Sequence, residues 1–257
     1  PALPASVRRA SVSARIWSVV AEGMKGILGA LVAQGYGVKR GVRNGLTVTL
    51  LASGIAAAEP ATVVALGDSL TAGYGLAEPA TGLVPQLEGW LKARGHDVVI
   101  QNAGVSGDTT AGGLARVAWA LGPEADALIV TLGGNDMMRG IDPAEAKANL
   151  DGILKEAAAR KLPVLLVAMK APGNFGPEYK AAFDRMYAEL ATQYGTLLAD
   201  DFFAGLLAAG ADPTDPASMA AWMQADGIHP NPEGVKLIVD RLGPKVEELL
   251  GQVAVAP

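Results

Sequence analysis

The sequence predicts a single α/β domain built around a parallel β-sheet. Three observations predict it. From Ala61 onward, short runs rich in Val, Leu and Ile alternate with segments of helical periodicity. Those runs are apolar nearly throughout, as parallel strands covered on both faces must be. Successive runs also end in small, polar, glycine-rich loops, where open parallel sheets gather their functional groups. Strand–helix alternation of this kind implies right-handed βαβ crossovers.

The expected strands are Thr62–Leu66, Val98–Gln101, Ala127–Leu132, Val164–Ala168 and Thr196–Ala199. One helix is expected from Asp142-Pro143-Ala144-Glu145, an acidic cap followed by Pro at the first helical position and a capping-box-like Glu. Leu150, Ile153, Leu154 and Ala157 continue it at helical spacing. The last helix starts at Asn231-Pro232 and carries Val235, Ile238, Leu242, Val246 and Leu249 along one stripe. The 257 residues contain no repeat, low-complexity tract or linker, so one core suffices.

Composition removes several kinds of chemistry. There is no cysteine, which excludes disulfides, thiol catalysis and cysteine-ligated zinc. With two histidines, a zinc site would need mostly carboxylate ligands at spacings that are not present. Of the 21 basic and 26 acidic residues, seven and one fall in positions 1–58, a net charge of +6. The remaining 14 and 25 give the main domain −11, which repels a phosphate backbone and argues against nucleic-acid binding. No P-loop occurs, and Gly35-x-Gly37 and Gly73-x-Gly75 lack the rest of a dinucleotide fingerprint.

The basic segment reads as a secretory signal. Lys39, Arg40 and Arg43 precede the apolar stretch Leu46 to Ala56, and Ala56-Ala57-Ala58 forms a small-residue cleavage site before Glu59-Pro60. The stretch is shorter than the ~20 residues a bilayer span needs. The expected division is therefore 1–58, extension and signal, and 59–257, the functional domain, periplasmic or secreted. Residues upstream of the signal are expected to precede the true start, at Met24 or later.

Three strand ends carry candidate chemistry: Gly67-Asp68-Ser69-Leu70, Asn102 to Asp108, and Gly133-Gly134-Asn135-Asp136. A fourth block, Asp226-Gly227-Ile228-His229-Pro230, holds the histidine placed for chemistry; His96 sits in a polar turn at the opposite end and is expected at the surface. Asp226 is close enough to accept from one imidazole nitrogen, leaving the other free as a base. A serine hydroxyl needs such a base to become a nucleophile, and Ser69 directly follows a strand. Gly67 is expected to let the chain turn sharply there. The Ser69 N–H, the Gly107 N–H and the Asn135 amide could together stabilise an oxyanion, each donor contributing roughly 3 kcal/mol. Singly, each residue also reads as ordinary turn or cap chemistry. The four blocks together do not.

In this order the blocks resemble the signature of the SGNH (GDSL) hydrolase superfamily, over essentially all of Ala61 to Leu250. The closest resemblance is to its bacterial periplasmic arylesterase, acyl-CoA thioesterase and lysophospholipase group. The segment Lys170 to Tyr179 resembles that group's substrate-binding loop after strand four. The resemblance implies a flavodoxin-like α/β/α sandwich on a five-stranded parallel sheet. It also implies a Ser69–His229–Asp226 triad, an oxyanion hole of Ser69, Gly107 and Asn135, and neither metal nor cofactor. Expected substrates are aryl and short-to-medium acyl esters, acyl thioesters and lysophospholipids; the expected state is a monomer without stable membrane insertion. Met137, Met138, Phe175, Trp222 and Met223 flank the motif loops and are expected to line an acyl groove. Two other readings stand beside this one: an O-acetyl esterase acting on envelope sugars, and a non-catalytic lipid- or glycan-binding module on the same fold. No Gly-x-Ser-x-Gly elbow occurs, which disfavours an α/β-hydrolase-fold lipase.

Overall fold

The computed structural model describes residues 59–253 apart from position 213, so the expected extension, signal and cleavage site in 1–58 lie outside the described residues. Five strands form one parallel sheet in the order β2-β1-β3-β4-β5. They are β1 (Ala61–Gly67), β2 (Val98–Gly104), β3 (Ala127–Thr131), β4 (Val164–Val167) and β5 (Leu197–Ala199). All five expected strands are present, and β2 runs on past its expected end to Gly104.

The described helices are α1 (Ser69–Ala72), α2 (Leu83–Lys92), α3 (Thr110–Ala120), α4 (Gly134–Met138) and α5 (Pro143–Ala159). They continue with α6 (Pro177–Tyr194), α7 (Ala204–Ala208), α8 (Pro216–Met219) and α9 (Pro232–Leu250). Helices α2 and α9 pack together as one layer, while α3, α5 and α6 form the other. The sheet lies between them.

Burial follows position in the sheet. Every residue of β3 and β4 is buried, as is most of β1, which is why these strands read as continuous apolar runs. At the edge, β2 departs from that expectation. Val98 and Ile100 are buried while Val99 is exposed, because an edge strand here packs on one face only. β5, the other edge, is half-buried throughout.

The helices form where capping and periodicity place them. Asp142 caps α5 by accepting from the Ala144 N–H at 2.9 Å, and Leu150, Ile153, Leu154 and Ala157 are buried beneath it. Asn231 caps α9 by accepting from the Gly234 N–H at 3.0 Å, with Pro232 at the position where a missing N–H costs nothing. Its stripe of Val235, Ile238, Leu242, Val246 and Leu249 is buried, and each such side chain contributes roughly 1.5–3 kcal/mol.

The strand order reverses between β1 and β3. The connections that leave β1 and β3 run to opposite faces of the sheet, which leaves a crevice at the carboxyl ends of these strands.

Candidate active site

Ser69 is the first residue of α1, directly after β1, and is 9% exposed. Asp68 caps that helix with Oδ1, 3.0 Å from the Leu70 N–H. Gly73, in the left-handed region at φ 80°, ends it after a single turn and returns its N–H to the Ser69 carbonyl. The turn is tight because it is packed against the sheet. Gly67 does not adopt the left-handed backbone expected of a sharp turn. Its role is close approach: a Cβ there would collide with the Thr71 hydroxyl and press on the Thr131 carbonyl at 3.0 Å.

His229 reaches Ser69 from the loop between α8 and α9. Its Nε2 lies 2.8 Å from Ser69 Oγ, and its Nδ1 lies 2.6 Å from Asp226 Oδ2. With Nδ1–H donated to the carboxylate, Nε2 is the acceptor for the serine proton. Asp226 Oδ1 also accepts from the Ile228 and His229 N–H groups, at 2.9 and 3.0 Å. The His229 N–H, then its ring and the Ile228 N–H, hold the Asp226 carboxyl down at about 2. The loop is braced as well: Gln224 donates to the carbonyls of Tyr74 and Pro230, and the Tyr74 ring lies 4.7 Å from the imidazole.

Gly107 follows β2 at φ 85°, a conformation that favours glycine. Its carbonyl accepts from Arg139 at 2.8 Å. Arg116 ties the neighbouring strand ends together by donating to the carbonyls of Gly67 and Ala103 while pairing with Asp108. Asn135 lies in α4, 8% exposed, and donates through Nδ2 to Asp68 Oδ2 at 3.2 Å. Its neighbour Asp136 is fully buried and accepts from the N–H and hydroxyl of Thr110, which locks α4 to the start of α3. Among the described residues, neither the Ser69 nor the Gly107 N–H has a protein acceptor. Two backbone donors and one amide thus lie at the ends of three adjacent strands.

Beside Ser69 opens a cavity of about 660 Å³, within the range of small-molecule sites. Met137, Met138, Met169, Met219 and Met223 line it, with Leu70 next to the serine. Two expected lining residues do not reach it. Phe175 packs against Gly140 and the Tyr179 ring, 44% exposed. Trp222 lies in the turn between α8 and Met223, its N–H donating to the Met219 carbonyl, and packs partly buried against the hydrophobic core, whereas Met223 lines the cavity. Met169, Met219, Leu70 and Ile228 were not singled out by the sequence reading, though Ile228 lies inside a motif block and Met169 ends strand four's apolar run. A smaller hollow of about 280 Å³, between the end of β5 and α9, holds none of the motif side chains. His96, expected as a solvated side chain, is half-exposed and pairs with Glu247 at 2.9 Å.

The model of the GDSL-like lipase/acylhydrolase family matches residues 65–237, from within β1 to within α9. The esterase TesA of Pseudomonas aeruginosa is 38% identical over 190 residues, which is 74% of this chain and 89% of that protein. The thioesterase 1/protease 1/lysophospholipase L1 of Escherichia coli K12 is 32% identical over 206 residues, 80% of this chain and 91% of the relative. The crystal structure of AlinE4, an SGNH-hydrolase family esterase, superposes with a TM-score of 0.60 at 41% identity, covering 76% of this chain and 98% of that one. By the extent of the family match and the identity to these relatives, the chain belongs to the GDSL-like lipase/acylhydrolase family.

Proposed function

We propose that the protein hydrolyses carboxylic esters and acyl thioesters through an acyl-enzyme on Ser69. The observation that carries this reading is the continuous chain from Asp226 through His229 to Ser69 Oγ, opening on an apolar cavity. His229 Nε2 takes the serine proton as Oγ attacks the acyl carbon, and the Asp226 carboxylate stabilises the resulting imidazolium. The Ser69 and Gly107 N–H groups and Asn135 Nδ2 receive the developing oxyanion. The imidazolium then gives its proton to the departing alcohol or thiol. Water, deprotonated by the same nitrogen, attacks the acyl-serine and releases the acid.

The methionine-lined cavity supports an acyl chain rather than a sugar, since flexible thioether side chains accommodate apolar groups of varied shape. Aryl and short-to-medium acyl esters, acyl thioesters and lysophospholipids are the substrates this reading names. Ser69→Ala should abolish both turnover of p-nitrophenyl esters and labelling by a fluorophosphonate probe; a variant that still labels has another nucleophile. Comparison of p-nitrophenyl esters of increasing length with acyl-CoA, lysophospholipid and acetylated sugars ranks the substrates. Strong preference for the sugars would overturn the acyl-cavity reading.

We further propose export to the periplasm or medium, on the basic and apolar pattern of residues 39–58. Among the described residues no helix is long and apolar enough to cross a membrane. Mass spectrometry of exported protein should find an N-terminus at Glu59.

A further inference from the structure

We propose that Asp68 is a positioning residue for the reaction: its carboxylate sets the orientation of the Asn135 amide, and thereby decides whether a donor or an acceptor faces the oxyanion. The inference rests on the reading of Asn135 as an oxyanion donor.

Asp68 is 1% exposed and both of its oxygens are used. Oδ1 accepts from the Leu70 N–H at 3.0 Å, and Oδ2 accepts from Asn135 Nδ2 at 3.2 Å. The first bond shapes the turn that presents Ser69. The second bears on the amide. An asparagine amide carries a donor and an acceptor of almost the same size, so packing alone distinguishes its two orientations weakly. An ionised carboxylate only accepts. Turning the Asn135 oxygen toward it would set two acceptors against each other in a buried site. Asp68 therefore keeps Nδ2 on its own side, next to the Ser69 turn. One Nδ2 hydrogen goes to Oδ2, and the other is left for the substrate oxygen.

Burial pushes the Asp68 carboxyl up to about 6, against the pull of the Leu70 N–H and the Asn135 amide. Holding a carboxylate there is costly to the fold. A neutral cap such as Asn or Ser would serve Leu70 equally well, so helix capping alone does not account for a buried acid at this position.

Asp68→Asn tests the idea because it preserves shape and cap while reversing the polarity presented to Asn135. The Leu70 N–H needs an oxygen, so the new amide turns its NH₂ toward Asn135 and draws the Asn135 oxygen round to meet it. The oxyanion then meets an acceptor. The expected result is a fall in kcat of about 10²–10³-fold or more, with KM changed by less than about threefold. Affinity for an alkyl trifluoromethyl ketone, whose adduct with the serine carries the oxyanion, should weaken by the same factor as kcat. In an Asn135→Ala background the second substitution should cost less than about threefold, because the group it orients is gone. If Asp68→Asn does not fold, Asp68→Ser retains the cap but removes the group that fixes the Asn135 amide, so kcat should still fall and the fall should again shrink to less than about threefold in the Asn135→Ala background.

A kcat for Asp68→Asn within threefold of the parent overturns the proposal. So does a loss that multiplies in full with that of Asn135→Ala, which would mark Asp68 as acting through α1 alone. If Asn135→Ala itself retains the parental kcat, the oxyanion reading of Asn135 fails, and the proposal falls with it.

Discussion

His229 Nε2 lies 2.8 Å from Ser69 Oγ, although 160 positions separate the two residues in the chain. The first strand brings the serine and the loop before the last helix brings the histidine. Contact requires α9 to pack back against α2, which returns its leading loop to the end of β1. Braces at both ends, Gln224 on the Tyr74 carbonyl and the Tyr74 ring against the imidazole, hold the approach.

His229→Ala removes the base, and kcat for a p-nitrophenyl ester should fall by about 10⁴–10⁶-fold. Asp226→Asn keeps the backbone contacts but removes the charge and the acceptor that select the Nδ1–H tautomer. Its kcat should fall by about 10³–10⁴-fold with little change in KM. Near-parental turnover in stopped-flow measurements of either variant would contradict the assignment.

The two carboxylates respond oppositely to pH. Asp226 is held at about 2, below its ordinary 3.8, so its stabilising contribution is full above pH 3.8 and is lost as pH falls toward 2. Asp68 is raised to about 6, so its ionised form is penalised by folding. That penalty is full above pH 6 and is relieved as pH falls from 6 to 3.8. Asp68→Asn should therefore raise Tm at pH 8 and leave it nearly unchanged at pH 4. The gain at pH 8 is at most roughly 3 kcal/mol. Thermal scans at the two pH values check it, and a variant destabilised at pH 8 would refute the burial argument.

Thr110→Val removes a hydroxyl that donates to the fully buried Asp136 and accepts from Asn149. The volume is kept, but the buried carboxylate loses a donor. Stability should drop by about 1–3 kcal/mol, read as a lower denaturant midpoint at unchanged m-value. Loosening of α4 should also lower kcat.

Met219→Trp places a larger ring at the end of α8, in the wall of the cavity. Activity on a p-nitrophenyl acetate should persist, while kcat/KM for octanoate and longer esters falls about tenfold or more, a difference of roughly 1.4 kcal/mol. An unchanged chain-length profile would place the acyl group elsewhere.

Much of the fold was legible because its signals are local. Apolar runs covered on both faces announced β1, β3 and β4, and Asp142-Pro143 and Asn231-Pro232 announced helix starts that need only neighbouring residues to cap. The motif blocks were legible because each is a strand end with its own turn chemistry. The cavity was less so. Trp222 and Phe175 lie beside motif loops in the sequence yet do not line the cavity, while Met219 lines it without any local sign. Gly67 was read as a turning residue and is instead a point of close packing against Thr71 and Thr131, a matter of neighbours across the sheet.

By itself, then, the sequence determined the α/β class, the order of the elements, the acidic character of the main domain and the candidates for nucleophile, base and oxyanion donors. Only the tertiary structure decided how these meet: the 2.8 Å contact between His229 and Ser69, the bond from the Asn135 amide to Asp68, and which methionines line the cavity beside the serine. The reason is physical. Periodicity and capping act over a few residues along the chain, whereas hydrogen bonds between strand ends and the shape of a cavity depend on which surfaces the parallel sheet brings together.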